Sequence, residues 1–512
     1  MPVRRRLRTV LSWTAAALLA VGLVFAAFVL WPLPEAEPVV MDHPVAITGV
    51  AVVDVERGVL VSDRTVLVAD GRIAAVAHVD SLDLPPGTER IDARGRFLMP
   101  ALWDMHAHVY AISPMLELPL YLSYGVTNVR DMLSCPAEGD PFISCPEDKR
   151  RWTAEAERGE RVGPRIVSTA SFMAGGPTMR ERLPDAPAFF GTETPGEARA
   201  FVRHWAARGV GEVKVYDRIP RDAYLALADE AARLGLAVVG HRPHAVSAVE
   251  VAEAGQTSVE HARVFLHEAW PGADSLRQAP PGDWREDRAR MLAEHDSARA
   301  QEIFAAFAEH GTWYVPTHLT RWSDAYADDA RVREDPLLAY LHPLMRWQWT
   351  EDLDATVAGD PSPQARETYR AFYRKGLALT GQAHRAGVRV LVGTDYVVAG
   401  ADVHRELGHL VEAGLTPADA LRAATLSPAR YAGRAADYGT VEAGKVADLV
   451  LLDANPLADI AHTQRIRAVV FGGNLYDRAA LDGLQDLVRQ RARSWSVGAK
   501  ILWRFVKSPA SY

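Results

Sequence analysis

Between Phe97 and Tyr431, short apolar runs alternate with longer segments rich in Ala, Leu, Glu and Arg. The runs cover residues 97–103, 126–129, 165–170, 212–215, 237–240, 257–259, 312–315 and 388–392, and segments such as 221–234 and 381–386 between them carry a helical pattern. Runs this short suit strands buried on both faces, and eight of them spaced by helices predict an α/β chain folded as a (β/α)8 TIM barrel. Either side of this region the pattern shortens. Residues 45–47, 50–55, 65–68 and 72–76 read as strands, with Asp70-Gly71 as a hairpin turn, and 447–452 and 466–471 read as strands again. A leading segment of about 55 residues cannot bury a core alone. The two flanks, 45–96 and 437–477, are therefore expected to form one small composite β-sandwich, with the barrel, 97–436, inserted between them.

The ends of the chain differ from the rest. Arg4, Arg5, Arg6 and Arg8 lie in residues 1–9, and residues 10–33 carry no charge. As a helix those 24 residues would reach about 36 Å, enough to cross a hydrocarbon core of roughly 30 Å with some tilt. A cleaved signal peptide shares the basic start, but its apolar region is usually about 7–15 residues and closes on a small-x-small site. Here the run closes on Val29-Leu30-Trp31-Pro32-Leu33-Pro34. The expectation is a single-pass transmembrane anchor with residues 1–9 in the cytoplasm. After a linker, 34–44, everything else would be extracytoplasmic, periplasmic or extracellular. In that compartment Cys135 and Cys145 are expected to form a disulfide, two free thiols being the alternative. The C-terminal tail, 478–512, mixes Trp495, Ile501, Leu502, Trp503, Phe505 and Val506 with Arg491, Arg493, Lys500, Arg504 and Lys507. Such an amphipathic segment suits a membrane interface, and packing on the barrel is the equal alternative.

Composition narrows the function classes. The 512 residues, 48% hydrophobic and 24% charged, describe a globular protein, and a net charge of -8 argues against nucleic acid as a partner.

The candidate chemistry sits where a barrel keeps its active groups, at the C-terminal ends of strands. His106 and His108 close the first run, and their spacing of two places both on one face of a strand. Lys214 ends the fourth run, His241 follows the fifth, His261 the sixth and Asp395 the eighth. Any one of these alone would more often be structural; six metal-type side chains at matching strand ends point to a metal site.

The sequence at this point resembles the amidohydrolase superfamily, in its imidazolonepropionase-like and prolidase-like (Xaa-Pro dipeptidase-like) branch. The resemblance runs from about Val45 to Asp477. It rests on Gly95-Arg96-Phe97-Leu98-Met99-Pro100 leading into His106-Ala107-His108, on the segment from Gly125 to Asp131, and on Val213-Lys214-Val215-Tyr216. Gly240-His241, Val259-Glu260-His261, Gly393-Thr394-Asp395, the segment from Ala413 to Thr425, and Gly444-Lys445-Val446-Ala447-Asp448-Leu449 complete it. The family pattern implies two divalent ions, usually zinc. His106, His108 and Asp395 would hold the first and His241 and His261 the second, with Lys214 bridging them as N6-carboxylysine; an ion pair of Lys214 with an acid at the barrel mouth is the alternative. A buried lysine between two ions loses its proton readily and can add CO2, which supports the carbamate. The implied reaction is hydrolysis of an amide or peptide C–N bond by a metal-bound hydroxide, with Asp395 moving the proton.

The expected substrate is a small molecule such as a dipeptide or N-acyl amino acid. A cyclic amide or lactone, or a non-catalytic membrane-tethered binding protein on a hydrolase barrel, are the alternatives. Tyr216, Arg130 and His318 are candidate substrate contacts, though each residue type at such a place is more often a satisfied structural group, and His404, which follows the last strand and recurs in the resembling family, would shape the pocket as a further candidate contact. Specificity would lie in loops such as 175–187, which carry no readable motif.

Overall fold

The computed structural model describes residues 2–175, 186–278 and 287–508. Sixteen strands fall into two bodies among these residues. The first is a mixed sheet built from both ends of the chain. It takes β1 (Val45–Asp54), β2 (Val59–Ala69), β3 (Arg72–His78), β4 (Glu89–Asp92) and β5 (Phe97–Pro100) from the leading flank. The second body, the barrel, is formed by β6 (Leu102–Ala107), β7 (Val126–Asp131), β8 (Arg165–Thr169), β9 (Glu212–Val215), β10 (Ala237–Gly240), β11 (Ser258–Glu260), β12 (Trp313–Val315) and β13 (Arg389–Val390). The trailing flank then returns β14 (Leu449–Leu452), β15 (Ile466–Phe471) and β16 (Asn474–Asp477) to the first sheet.

That sheet has the order β16-β15-β14-β5-β1-β2-β3, with β4 also paired to β1. Where two separate sheets were expected, one continuous sheet curls over. Ile73 on β3 at its far edge donates to the Lys445 carbonyl and accepts from the Gly444 amide, just ahead of β14. Period-two geometry explains the unbroken Leu449-Val450-Leu451-Leu452 run. Leu449 and Leu451 enter the core enclosed by the curled sheet with Ile47, Val66 and Leu98, while Val450 and Leu452 pack on the barrel side with Met99 and Phe471.

The first apolar run, expected as one barrel strand, is two. Residues 97–100 pair with β1 and β14 in the mixed sheet, and 102–107 pair with β7 in the barrel. The break falls at Pro100-Ala101, where proline supplies no amide hydrogen. Ala101 donates to Asp448 on the sheet side and Leu102 to Gly125 on the barrel side.

The eight strands β6 to β13 are parallel wherever they pair. The two barrel segments join at an Ala170–Glu212 bridge, and the ring closes where Met105 donates to Val392 and Asp395 to the His106 carbonyl. Gly393 makes that closure possible: a Cβ there would stand 2.8 Å from both the amide nitrogen and the Cβ of His106.

The N-terminal helix spans Pro2–Leu30, and within it Val10–Leu30 has a mean hydropathy of 2.3 and lies unburied. It is consistent with either a signal sequence or a single anchor. It stops just short of Pro32. The tail continues as a helix, Trp495–Lys507, whose Ser496, Val497, Ala499 and Ile501 are buried while Trp495, Leu502, Trp503 and Val506 are exposed. This helix meets the end of the first, with Ser496 Oγ donating to the Phe28 carbonyl and Phe25 beside Trp503. Cys135 and Cys145 form a disulfide. The loop it closes is tied to the tail by Arg504 donating to the Pro141 carbonyl.

Candidate metal centre

All six strand-end side chains line one cavity of about 340 Å³: His106, His108, Lys214, His241, His261 and Asp395. His106 and His108 extend from β6 on one face, and their Nε2 atoms lie 3.6 and 3.1 Å from Asp395 Oδ1. These three residues bring one ligand atom each within 4.8 Å of one another, an arrangement typical of a metal site. Across the cavity, His241 Nε2 and His261 Nε2 face each other at 3.0 Å.

The local backbone is shaped for this convergence. His261 and Asp395 have φ of 75° and 45°, the left-handed region that costs a non-glycine residue energy and is retained where the surroundings over-determine it. Thr317, with φ of 46°, stands beside them and places its hydroxyl 2.8 Å from His261 Nδ1. Gly240, at φ of 110°, lets the chain turn into His241, since a Cβ there would come within 2.4 Å of the Val215 carbonyl and 3.2 Å of Lys214 Cγ.

The donor set fits a divalent ion. His106 Nδ1 is held by Glu260 Oε2 at 2.9 Å, leaving His106 Nε2 buried with no hydrogen-bond partner and aimed at the cavity. A carboxylate behind a ligating imidazole fixes its tautomer and direction. Glu260 is itself anchored by Arg130 Nη2 at 2.9 Å and by the Ser258 hydroxyl at 2.6 Å. Burial works to raise the Glu260 carboxyl, and the Arg130 guanidinium and His106 hold it below its ordinary value. Burial pushes His241 and His261 well below the usual histidine range, so both imidazoles are neutral and free to donate a lone pair. Burial would raise Asp395, but the imidazoles of His106, His108 and His261 bring it well below the carboxylate range. Lys214 is pushed down from its ordinary value by burial, against the attraction of Asp395 and Glu260.

Of the four candidate substrate contacts, the cavity contains Tyr216, whose ring stacks on His241 at 4.1 Å between centroids. Arg130 lies beneath the site, fully buried, donating to the Met105 carbonyl, Ser258, Tyr431 and Glu260. His318 is buried against Thr380, and His404 between Thr463 and the Tyr124 carbonyl. None of these three lines the cavity.

Sequence reasoning missed Arg263 and Arg321, which do line it. They stand two and three residues beyond His261 and His318, Arg263 at the cap of the helix Val264–Glu268 and Arg321 in the first turn of the helix His318–Ala325, and no motif marks them. It also assigned no role to Glu260 or to Asp104, which accepts from the His106 amide and from the amide and hydroxyl of Thr394. Most of the 175–187 loop, residues 176–185, lies outside the described residues.

Comparison with known proteins agrees with this geometry. Residues 97–476 match the model of the Amidohydrolase family. An imidazolonepropionase from Symbiobacterium thermophilum is 25% identical over 407 residues, covering 75% of this chain and 82% of that protein. Among solved structures, a putative prolidase from Bifidobacterium longum superposes with a TM-score of 0.59 at 23% identity, covering 89% of this chain and all of the other. A bottromycin amidohydrolase superposes with a TM-score of 0.67 at 24% identity, covering 87% of this chain and 90% of the other.

Proposed function

We propose, for a chain that belongs to the amidohydrolase family and is therefore a metal-dependent hydrolase of carbon–nitrogen bonds, that the bond cleaved is the amide of a dipeptide or N-acyl amino acid. The observation that carries this reading is the convergence of six strand-end side chains and two arginines in one cavity. His106, His108 and Asp395 would hold one divalent ion, and His241 and His261 a second. Lys214 would span both after its neutral amine nitrogen adds to CO2, releasing a proton and leaving a carbamate. When bound, such ions, zinc being the usual choice, acidify water and polarise the scissile carbonyl. Asp395, held ionised among three imidazoles, accepts the proton of the attacking water and returns it to the leaving nitrogen. Arg263 and Arg321 supply the positive charge that grips the substrate carboxylate, and Tyr216, packed on His241, limits water access.

The N-terminal helix, with its basic start, would anchor the enzyme and leave the barrel extracytoplasmic, an arrangement that suits the disulfide. Metal analysis and a panel of dipeptides and N-acyl amino acids test the reading on the full-length protein. Near two ions per chain, lost in Lys214→Ala, together with turnover of the panel, is the expected result. A normally folded protein that takes up no metal, or takes it up and cleaves no amide, overturns it.

A further inference from the structure

A second cavity, of about 320 Å³, opens from the metal centre and shares His108 and Asp395 with it. Its character is different. Tyr110, Phe142, Met345, Trp349, Val397 and Phe505 line it, so its walls are aromatic and aliphatic where the first cavity is ionic. Two acids also stand on its wall: Glu117, which accepts from the Ser113 hydroxyl and whose carboxyl burial pushes up to about 7, and Asp352, which burial likewise raises. A substrate amide poised at Asp395 thus has an arginine-rich compartment on one side and an apolar one on the other.

The apolar compartment leads to an unusual surface. Phe505 belongs to the tail helix, and Met345 and Trp349 to the helix Pro343–Gly359. The tail helix passes the cap of that second helix: a Cβ on Gly498 would stand 2.8 Å from the ring of His342, its N-cap. Around that junction Trp495 is 82% exposed and Trp347 63%, with Leu344, Leu502, Trp503 and Val506 also open to solvent. Lys500 and Lys507 flank them, and the tail helix rests against the apolar N-terminal helix through Ser496 and Trp503. Tryptophans with lysines beside an apolar helix are the chemistry of a lipid–water interface.

We propose that the substrate is an amide with a long apolar acyl arm, drawn from a lipid surface on which this face rests, with the arm in the second cavity. The inference rests on the amide-hydrolase reading above and names its substrate class. Each methylene moved from water into such a cavity is worth about fourfold in affinity, so arm length is the quantity to vary.

The first experiment needs no metal and no turnover. Full-length protein in phosphatidylcholine vesicles is irradiated with an N-palmitoylglycine bearing a diazirine at the acyl terminus. Cross-links on residues 343–359 or on Phe505 are expected, and labelling confined to other segments overturns the proposal. The second compares N-acetylglycine with N-lauroylglycine on the metal-loaded enzyme. The lauroyl substrate should show at least tenfold higher kcat/KM, and Met345→Trp, which fills the cavity, should remove that advantage by lowering kcat/KM at least tenfold more for N-lauroylglycine than for N-acetylglycine. Equal kcat/KM for both substrates overturns the acyl-arm inference and leaves the hydrolase reading standing, whereas cleavage of neither overturns both. Lipid delivery is tested by Trp503→Glu. It should slow cleavage of vesicle-borne N-palmitoylglycine at least fivefold without affecting micelle-free N-lauroylglycine; equal rates overturn the lipid source.

Discussion

Glu260 Oε2 stands 2.9 Å from His106 Nδ1, and the same carboxylate is gripped by the buried Arg130. The metal-facing nitrogen of His106 is therefore aimed by a chain of charge that runs from Arg130 on β7 through Glu260 on β11. Glu260→Gln keeps the shape but removes the charge. Metal affinity should fall by roughly 10–100-fold with the fold retained. Competition against a chelator measures it, and unchanged affinity would show that Glu260 does not orient the ligand.

Lys214 titrates below its ordinary value because it is buried. If its amine carries a carboxyl group, metal uptake should depend on dissolved CO2. Protein reconstituted in bicarbonate-free buffer should bind fewer ions than with bicarbonate added, and Lys214→Ala should lose that dependence. Identical uptake in both buffers would favour a plain amine.

Arg263 lines the ionic cavity together with Arg321. Arg263→Ala should raise KM for N-acyl amino acids about 10–100-fold, the scale of a charged hydrogen bond worth about 1.5–3 kcal/mol. The corresponding C-terminal amides, which carry no carboxylate, should be affected little. A uniform loss across both substrate sets would mean that Arg263 shapes the fold instead of binding the carboxylate.

His404 is buried with its imidazole bonded to Thr463 and the Tyr124 carbonyl, and burial lowers it to about 4. Its folded value lies below the unfolded one near 6.5. The stability it contributes is therefore present above pH 6.5 and lost as pH falls towards 4, about 3 kcal/mol in all. Urea unfolding midpoints at pH 7 and pH 4.5 should converge in His404→Gln relative to wild type. A variant as acid-sensitive as wild type would place the titration elsewhere.

Reduction of the Cys135–Cys145 bridge should cost about 2–3 kcal/mol through the loop it closes. Because Arg504 and Ser508 hold this loop through the Pro141 carbonyl and Asp140, the tail helix should become protease-sensitive at the same time. Limited proteolysis with and without reductant measures that, and a tail equally resistant in both states would decouple them.

How much of this was legible from residues alone depends on range. The six strand-end groups could be read because each follows an apolar run, and the end of a strand is a local property. Boundaries failed at Pro100, where one apolar run serves two sheets and periodicity carries no mark of the change. Arg130 stood open between two roles because an arginine at the strand level can serve either a ligand or a buried carboxylate, and only the fold brings Glu260 to it. Arg263 and Arg321 line one cavity from the starts of two helices, after β11 and β12, a relationship that depends on the fold and has no sequence spacing.

The position of β5 also has a consequence in time. One edge of that strand pairs with β1 almost as soon as it is made, while the other pairs with β14, which lies beyond the entire barrel. At a synthesis rate of roughly 5–20 residues per second, the second edge stays open for about 20–70 s. A nascent chain must keep that hydrogen-bonding edge from its neighbours until the final strands arrive, so the sheet from which the chain enters β6 is completed only after every barrel strand has been made.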